Sequence, residues 1–285
     1  MEEVNLRFQH LSEQIFSCLD NESLINCQEV SRSWNIYLDR QKFLQARIIL
    51  EIVNRTHKVG KSWFEVFKKC NTKTITDLRV AVEHLYHGIF ASYREDIDLS
   101  PLHVAAAFGQ LTLFNDILHK VENQFPLNDI GWSPLYFAAK FDHLHIYESI
   151  LAINKNVFPH STVDLTKTLN TAAFHNSLNV CRYIIKNNSD QISWDNNSSV
   201  AIILLSAAFR GHIEIYKMIM AKVADKNPAT DGSTPLHFAA GMGCFEMCKL
   251  ILENVNDKNP VDNNGKTPKD MTEAANHNEI VKLFP

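Results

Sequence analysis

Two hexapeptides constrain this chain more than any other feature: Ser100-Pro-Leu-His-Val-Ala105 and Thr234-Pro-Leu-His-Phe-Ala239. Ser133-Pro-Leu-Tyr-Phe-Ala138 is a third copy, and Thr267-Pro-Lys-Asp-Met-Thr272 is a degraded fourth. Aligned on the last residue, with the long gap split at Ala172 and Ala207, the copies step by 33, 34, 35, 32 and 33 residues. A unit of that length cannot bury its apolar face alone, so its copies must stack on one another.

The motif has a local physical reading. Ser or Thr caps a helix, and Pro takes the first helical position, where a missing N–H costs nothing. The Ala pairs at 105–106, 138–139, 172–173, 207–208 and 239–240 let neighbouring helices approach closely. Four residues after each aligned position stand Gly109, Asp142, Asn176, Gly211, Gly243 and Asn276. These residue types tolerate a left-handed backbone, which marks a turn between two helices. The second helix then repeats two apolar columns. One is Leu113, Ile146, Val180, Ile215, Met247 and Ile280; the other is Ile117, Ile150, Ile184, Ile219, Ile251 and Phe284. Members of a pair lie four apart and share one buried face.

The period and the T-P-L-H-x-A motif resemble the ankyrin repeat, over residues 98–285 as six repeats. The resemblance implies an all-α solenoid with β-hairpin-like finger loops. The third and fourth repeats read Lys167-Thr-Leu-Asn-Thr-Ala172 and Ile202-Ile-Leu-Leu-Ser-Ala207, without the Thr-Pro cap. Irregular loops and a soft point are expected there. The last repeat carries Lys269, Asp270 and Glu273 where the others are apolar or small, as a terminal cap requires.

The first 46 residues show another pattern. Leu11, Ile15 and Leu19 make one helical stripe, Asp20-Asn21-Glu22-Ser23 breaks it, and Leu24, Cys27, Val30 and Trp34 make a second. The run IFSCLDNESLINCQEVSRSW resembles the F-box. It departs from the family in lacking the usual opening Leu-Pro, since no proline precedes Pro101. A unit this small buries its own apolar surface poorly, which independently implies a covering partner. The resemblance implies docking to the Skp-type adaptor, and through it the cullin, of an SCF-type ubiquitin ligase. The adaptor-binding residues would be Leu11, Ile15, Leu19, Leu24, Val30 and Trp34. Residues 47–97 carry helical periodicity over 43–53, 62–70 and 75–90, with Trp63, Phe64 and Phe67 together on the middle segment. Without Pro or Gly-Ser runs, this stretch reads as a packed helical connector.

Composition closes off other classes. Of 285 residues, 45% are hydrophobic and 21% charged, which fits a folded chain and not a disordered one. The net charge is −4, and neither side of Asp98 is basic, which argues against a nucleic-acid partner. The longest apolar run, 200–209, is far below the ~20 residues of a membrane helix. The acidic start MEEVNLRFQH is not a secretory signal. Cysteines 18, 27, 70, 181, 244 and 248 form no CxxC, so reduced thiols in the cytoplasm or nucleus are expected. His143 and His145 are two apart and point to different sides of a helix. Cys244 and Cys248 lack further ligands nearby, so no metal is expected. Nucleotide, hydrolase and metalloprotease motifs are missing, so no cofactor and no catalysis are expected.

In the ankyrin family the residues just before the inter-helix turn lie on the concave face and are usually polar. Here they include Phe108, Phe141, Phe174, Phe209 and Met242, with Lys140, His175 and Arg210 interleaved. Aromatic and arginine side chains on an open surface are the composition of binding hot spots. Trp132, after Gly131, is expected on a finger beside them, with Asp129, Asp164, Asn197, Asp231, Asn263 and Lys266 on the finger tips. The resulting reading is a non-catalytic substrate receptor of an SCF-type ligase, with a protein substrate on the concave face. The alternative is an ankyrin scaffold whose F-box-like hairpin engages no ligase. A cryptic enzyme is the third and weakest class.

Overall fold

The computed structural model describes residues 42–56, 61–87, 99–157, 164–194 and 198–284. Leu11, Ile15, Leu19, Leu24, Val30, Trp34 and Asn197 lie outside them. The described residues form fifteen α-helices, one 3-10 turn at Ser189–Gln191 and no strand, as the all-α expectation required. They fall into two compact units, one ending at Phe137 and the other beginning at Ala138.

In the first unit, α1 (Lys42–Thr56), α2 (Lys61–Lys69) and α3 (Thr72–His87) precede the repeat pair α4 (Pro101–Phe108) and α5 (Leu111–Leu118). The described helices α1, α2 and α3 pack in the same unit as α4 and α5. Trp63 is fully buried, and its indole N–H donates to the Leu99 carbonyl at 2.8 Å. Thr74 donates its hydroxyl to Asp116 at 3.1 Å, and the Glu122 N–H reaches Glu65 at 3.3 Å. The connector thus covers the open face of α4 and α5, which has no preceding repeat to pack against.

The start of α4 shows how the T-P-L-H motif works. The Ser100 N–H donates to His103 Nδ1 at 3.0 Å, so Nδ1 carries no proton. The imidazole proton therefore sits on Nε2, which donates to the Trp132 carbonyl at 3.0 Å. One ring ties a helix start to the following finger. His103 is only 1% exposed, and desolvation brings its pKa down to about 4. That finger is a tight hairpin: Asn128 Oδ1 accepts from the Ile130 and Trp132 N–H groups, and Gly131 takes φ +76°.

In the second unit the inner helices are α8 (Leu165–Phe174), α10 (Ser198–Arg210), α12 (Pro235–Gly241) and α14 (Pro268–Ala274). The outer helices are α7 (Leu144–Val157), α9 (Leu178–Asn187), α11 (Ile213–Met220), α13 (Phe245–Asn254) and α15 (Asn278–Val281). The helix α6 (Pro134–Lys140) contains the division between the units. The Thr234 N–H donates to His237 Nδ1 and His237 Nε2 donates to the Lys266 carbonyl, repeating the arrangement at His103. In the degraded copy Asp270 takes the histidine's place and accepts the Thr267 N–H at 2.8 Å.

All six turn residues take the left-handed backbone: Gly109, Asp142, Asn176, Gly211, Gly243 and Asn276 have φ between +59° and +84°. Both apolar columns are buried throughout, from Val180 at 0% to Phe284 at 7% exposure. Each of these side chains contributes about 2 kcal/mol on burial. The paired alanines are fully buried or nearly so, which holds adjacent inner helices close.

Departures from the expectation concentrate in the third and fourth repeats. Asp164 is not a finger tip: its side chain caps α8 by accepting the Lys167 N–H at 2.9 Å, replacing the missing Thr-Pro. The inner helix α10 runs 13 residues against 7 in α12. Its N-terminal extension buries Val200 and Ala201, so extra apolar contact compensates for the lost motif.

Candidate partner-binding surface

The inner helices of the second unit end in a continuous row of aromatic and cationic side chains. Phe174 and Phe209 come from successive repeats and stack nearly parallel, 9° apart with centroids 6.5 Å apart. Phe209 meets Phe238 of the next repeat edge-on at 6.2 Å. The Arg210 guanidinium lies 4.2 Å from the Phe174 centroid and 5.7 Å from that of Phe209. His175 packs edge-on against Phe174 at 5.0 Å. Lys140 lies over Phe141 at 5.4 Å, and Phe141 approaches His143 at 6.4 Å. Met242 is half exposed at 51%.

The backbone beneath this row is held between repeats. The Ser177 hydroxyl donates to the Lys140 carbonyl at 3.0 Å, and His212 Nε2 bonds the Phe174 carbonyl at 3.2 Å. His277 Nε2 does the same for the Gly241 carbonyl at 3.2 Å. The carbonyls that end the inner helices are therefore satisfied by the repeat that follows. Asp142, at φ +59°, caps the next outer helix through the Asn179 and Val180 N–H groups. The row sits on a fixed backbone.

Burial lowers the Lys140 pKa. Desolvation, and then Lys140, Arg210 and His212, bring His175 down to about 4. Desolvation also lowers His212. Neutral His175 and two cations thus line the surface at physiological pH.

The expected site residues therefore divide. Lys140, Phe141, Phe174, His175, Phe209, Arg210 and Met242 lie at the ends of the inner helices of the second unit. Phe108 and Trp132 belong to the first unit and are engaged in packing there. The Phe108 ring meets His84 of α3 at 5.9 Å. Trp132 stacks on Tyr136 at 4.4 Å, meets Phe137 at 5.9 Å and is half-buried. The indole folds back onto its own repeat instead of projecting, because Tyr136 offers a parallel ring one helical turn away. Two participants escaped the sequence reading: Phe238, masked by its place inside T-P-L-H-F-A, and His212, one residue beyond the turn glycine. Trp63 of the connector is core, whereas Phe64 beside it is 56% exposed.

Among the described residues no group of three or more His, Cys, Asp or Glu is placed to hold a metal ion. None of their helices is long and apolar enough to cross a membrane.

These features are the periodic caps, left-handed turns and stacked helix pairs of an ankyrin solenoid. The ankyrin repeat family, described as three copies, matches residues 102–197 and 203–284, and the chain belongs to it. The F-box domain family matches residues 9–46, so this is an F-box protein with C-terminal ankyrin repeats. Both are protein-interaction modules. No curated protein matches the chain significantly. Among solved structures, an ankyrin repeat domain from Acinetobacter baumannii AYE is similar at 22% identity. The match covers 64% of this chain and 95% of that one, with a TM-score of 0.47.

Proposed function

We propose that this chain is the substrate-recognition subunit of an SCF-type ubiquitin ligase and performs no catalysis itself. The observation that carries the reading is the union, in one chain, of an F-box domain at 9–46 with an ankyrin array at 102–284. In this reading residues 1–46 dock the Skp-type adaptor, 47–97 join the two parts, and 98–285 hold the substrate. The cullin is recruited through the adaptor. The mechanism is proximity: a substrate held on the ankyrin surface meets a charged ubiquitin-conjugating enzyme at raised effective concentration. The aromatic and cationic row of the second unit supports the capture half. The cytoplasm or nucleus is the proposed setting. Cys70, Cys181, Cys244 and Cys248 are free thiols, and burial raises the pKa of each, which keeps them unreactive.

The test is recovery of the adaptor with the tagged full chain. Leu24→Ala with Trp34→Ala removes two apolar anchors, at about 2 kcal/mol or more each. Adaptor and cullin are expected to disappear from the recovered material while the ankyrin array keeps its thermal transition. Undiminished recovery would remove the ligase reading and leave an ankyrin scaffold.

A further inference from the structure

In the fourth repeat the polar positions of the motif hold apolar residues. Aligned on Ala207, Ile202 and Leu205 stand where the fifth repeat has the capping Thr234 and the bridging His237. Neither side chain can make the hydrogen bonds that Thr234 and His237 make. Thr234 and His237 are 4% and 0% exposed, whereas Ile202 is 41% exposed and Leu205 is half-buried. With Phe209, seven residues after Ile202, they form an i, i+3, i+7 ridge on one face of α10. At 1.5 Å per residue the ridge is about 10 Å long. Phe174 and Phe238 flank its end, with ring centroids 6.5 and 6.2 Å from that of Phe209.

The charge around the ridge has one sign. Between them α8, α10 and α12 contain two residues of the Asp, Glu, Lys and Arg types, Lys167 and Arg210, both basic. Asp164, just before α8, is engaged in its cap. Neither Lys167 nor Arg210 belongs to an ion pair among the described residues. In the repeat alignment Lys167 is level with Ile202, and Arg210 lies just past Phe209, so the two cations mark opposite ends of the ridge. One turn after Lys167, Asn170 Oδ1 accepts the Ser206 hydroxyl at 2.8 Å, which leaves the amide N–H groups as donors. The stretch of single sign ends at α14, which carries Lys269, Asp270 and Glu273.

We infer that the partner docked on this ridge is an amphipathic α-helix, with apolar residues at i, i+3 or i+4 and i+7 and an acidic residue near each end of that stripe. The inference deepens the partner-capture half of the reading above and rests on it. A ridge of i, i+3, i+7 side chains fits the grooves of a second helix with the same spacing. The rings of Phe174 and Phe238 wall the ridge where it ends, and Lys167 and Arg210 supply the complement to acids two turns apart. The Arg210 guanidinium is already stacked on Phe174 and Phe209, so little side-chain entropy is lost when it meets a carboxylate. A polyanion or an anionic membrane fits poorly, because two cations serve the whole stretch and the chain carries net charge −4.

Random hexadecapeptides displayed on phage, selected against the full chain and then synthesised with a fluorescent label, test the inference. Selected peptides are expected to share the i, i+3 or i+4, i+7 apolar pattern with Asp or Glu near both ends, and to gain helical circular dichroism on binding. Ile202→Gln and Arg210→Ala are each expected to weaken binding at least tenfold. Lys167→Glu is expected to weaken it several-fold, and a Lys in place of one peptide acid to restore the loss. Ile202, Lys167 and Arg210 are exposed, so these variants are expected to keep the wild-type thermal transition, which is measured in parallel. Peptides that need Arg210 but bind without becoming helical, carry no acid or ignore Ile202→Gln would overturn the helix inference and leave the capture surface standing. Peptides that ignore both Ile202→Gln and Arg210→Ala, or a failure to enrich any peptide, would overturn both. Equal affinity for a labelled single-stranded oligonucleotide or for phosphatidylserine-containing vesicles would overturn the peptide assignment. The adaptor arm of the ligase reading is measured separately, by the recovery test above.

Discussion

The guanidinium of Arg210 rests 4.2 Å above the ring of Phe174, so a cation of one repeat is held on an aromatic side chain of the repeat before it. The contact is exposed on one side, and it joins two repeats without burying either residue in the apolar core. A side chain in that position is free to exchange its hydration for a partner while the solenoid beneath it stays unchanged.

Arg210 and Trp132 should therefore respond differently to truncation. Arg210→Ala is expected to change stability by about 0.5 kcal/mol or less while reducing partner capture about tenfold, a difference of ~1.4 kcal/mol. Trp132→Ala removes a stacked ring from Tyr136 and an edge contact from Phe137, and is expected to cost about 1–2 kcal/mol of stability. Urea titration of both variants beside a binding assay separates the two. A neutral Trp132→Ala that abolished capture would show that the indole belongs to the binding surface after all.

His103 makes the protein acid-sensitive in a defined window. Its folded pKa of about 4 lies below the usual histidine value of about 6.5, so below 6.5 the unfolded chain binds a proton that the folded chain refuses. The stabilisation is complete above pH 6.5 and is lost as pH falls towards 4, by about 3 kcal/mol in all. Denaturant midpoints measured between pH 7.5 and 4.5 should fall steadily, and His103→Gln should make the slope shallower across that range. A slope unaffected by the substitution would assign the acid sensitivity to other groups.

Asp142 combines an uncommon backbone with a cap. At φ +59° its carboxylate accepts from the Asn179 and Val180 N–H groups of the following outer helix. Asp142→Ala loses the cap and retains the strain, for an expected loss of about 2 kcal/mol. Asp142→Gly loses the cap but relieves the backbone, for about 1 kcal/mol. Asp142→Asn should be the mildest of the three. Thermal unfolding that ranked Gly as the most damaging would contradict the left-handed assignment.

Much of this architecture was legible because it is periodic and local. A glycine or asparagine at a fixed offset implies a turn whatever surrounds it, and two columns spaced by four residues imply a buried face. What the sequence did not show depends on neighbours distant along the chain. The burial of Trp63 follows from a carbonyl at Leu99, and the engagement of Phe108 follows from His84. The direction of Trp132 is set by Tyr136, because position in a repeat says where a side chain starts and not which ring it finds. Asp164 stands where the Thr-Pro signal is absent, yet an aspartate three residues before Lys167 is itself a cap signal.

That cap yields a local prediction. Asp164→Ala frees the Lys167 N–H at the start of α8 and is expected to cost about 1 kcal/mol. Amide exchange in the first turn of α8 should accelerate several-fold, with α12 unaffected. Equal acceleration in both helices would mean that the array unfolds as one unit.

The central claim is that one chain joins an adaptor to a captured peptide. Its most direct measurement is a bridging assay, in which immobilised Skp-type adaptor is offered a labelled peptide, selected from a random displayed library for binding to the full chain, with and without that chain. Retention of the peptide is expected only when the chain is present, and is expected to be lost with Leu24→Ala plus Trp34→Ala or with Arg210→Ala. Failure of the wild-type chain to bind the adaptor, or adaptor and peptide displacing one another, would contradict the account.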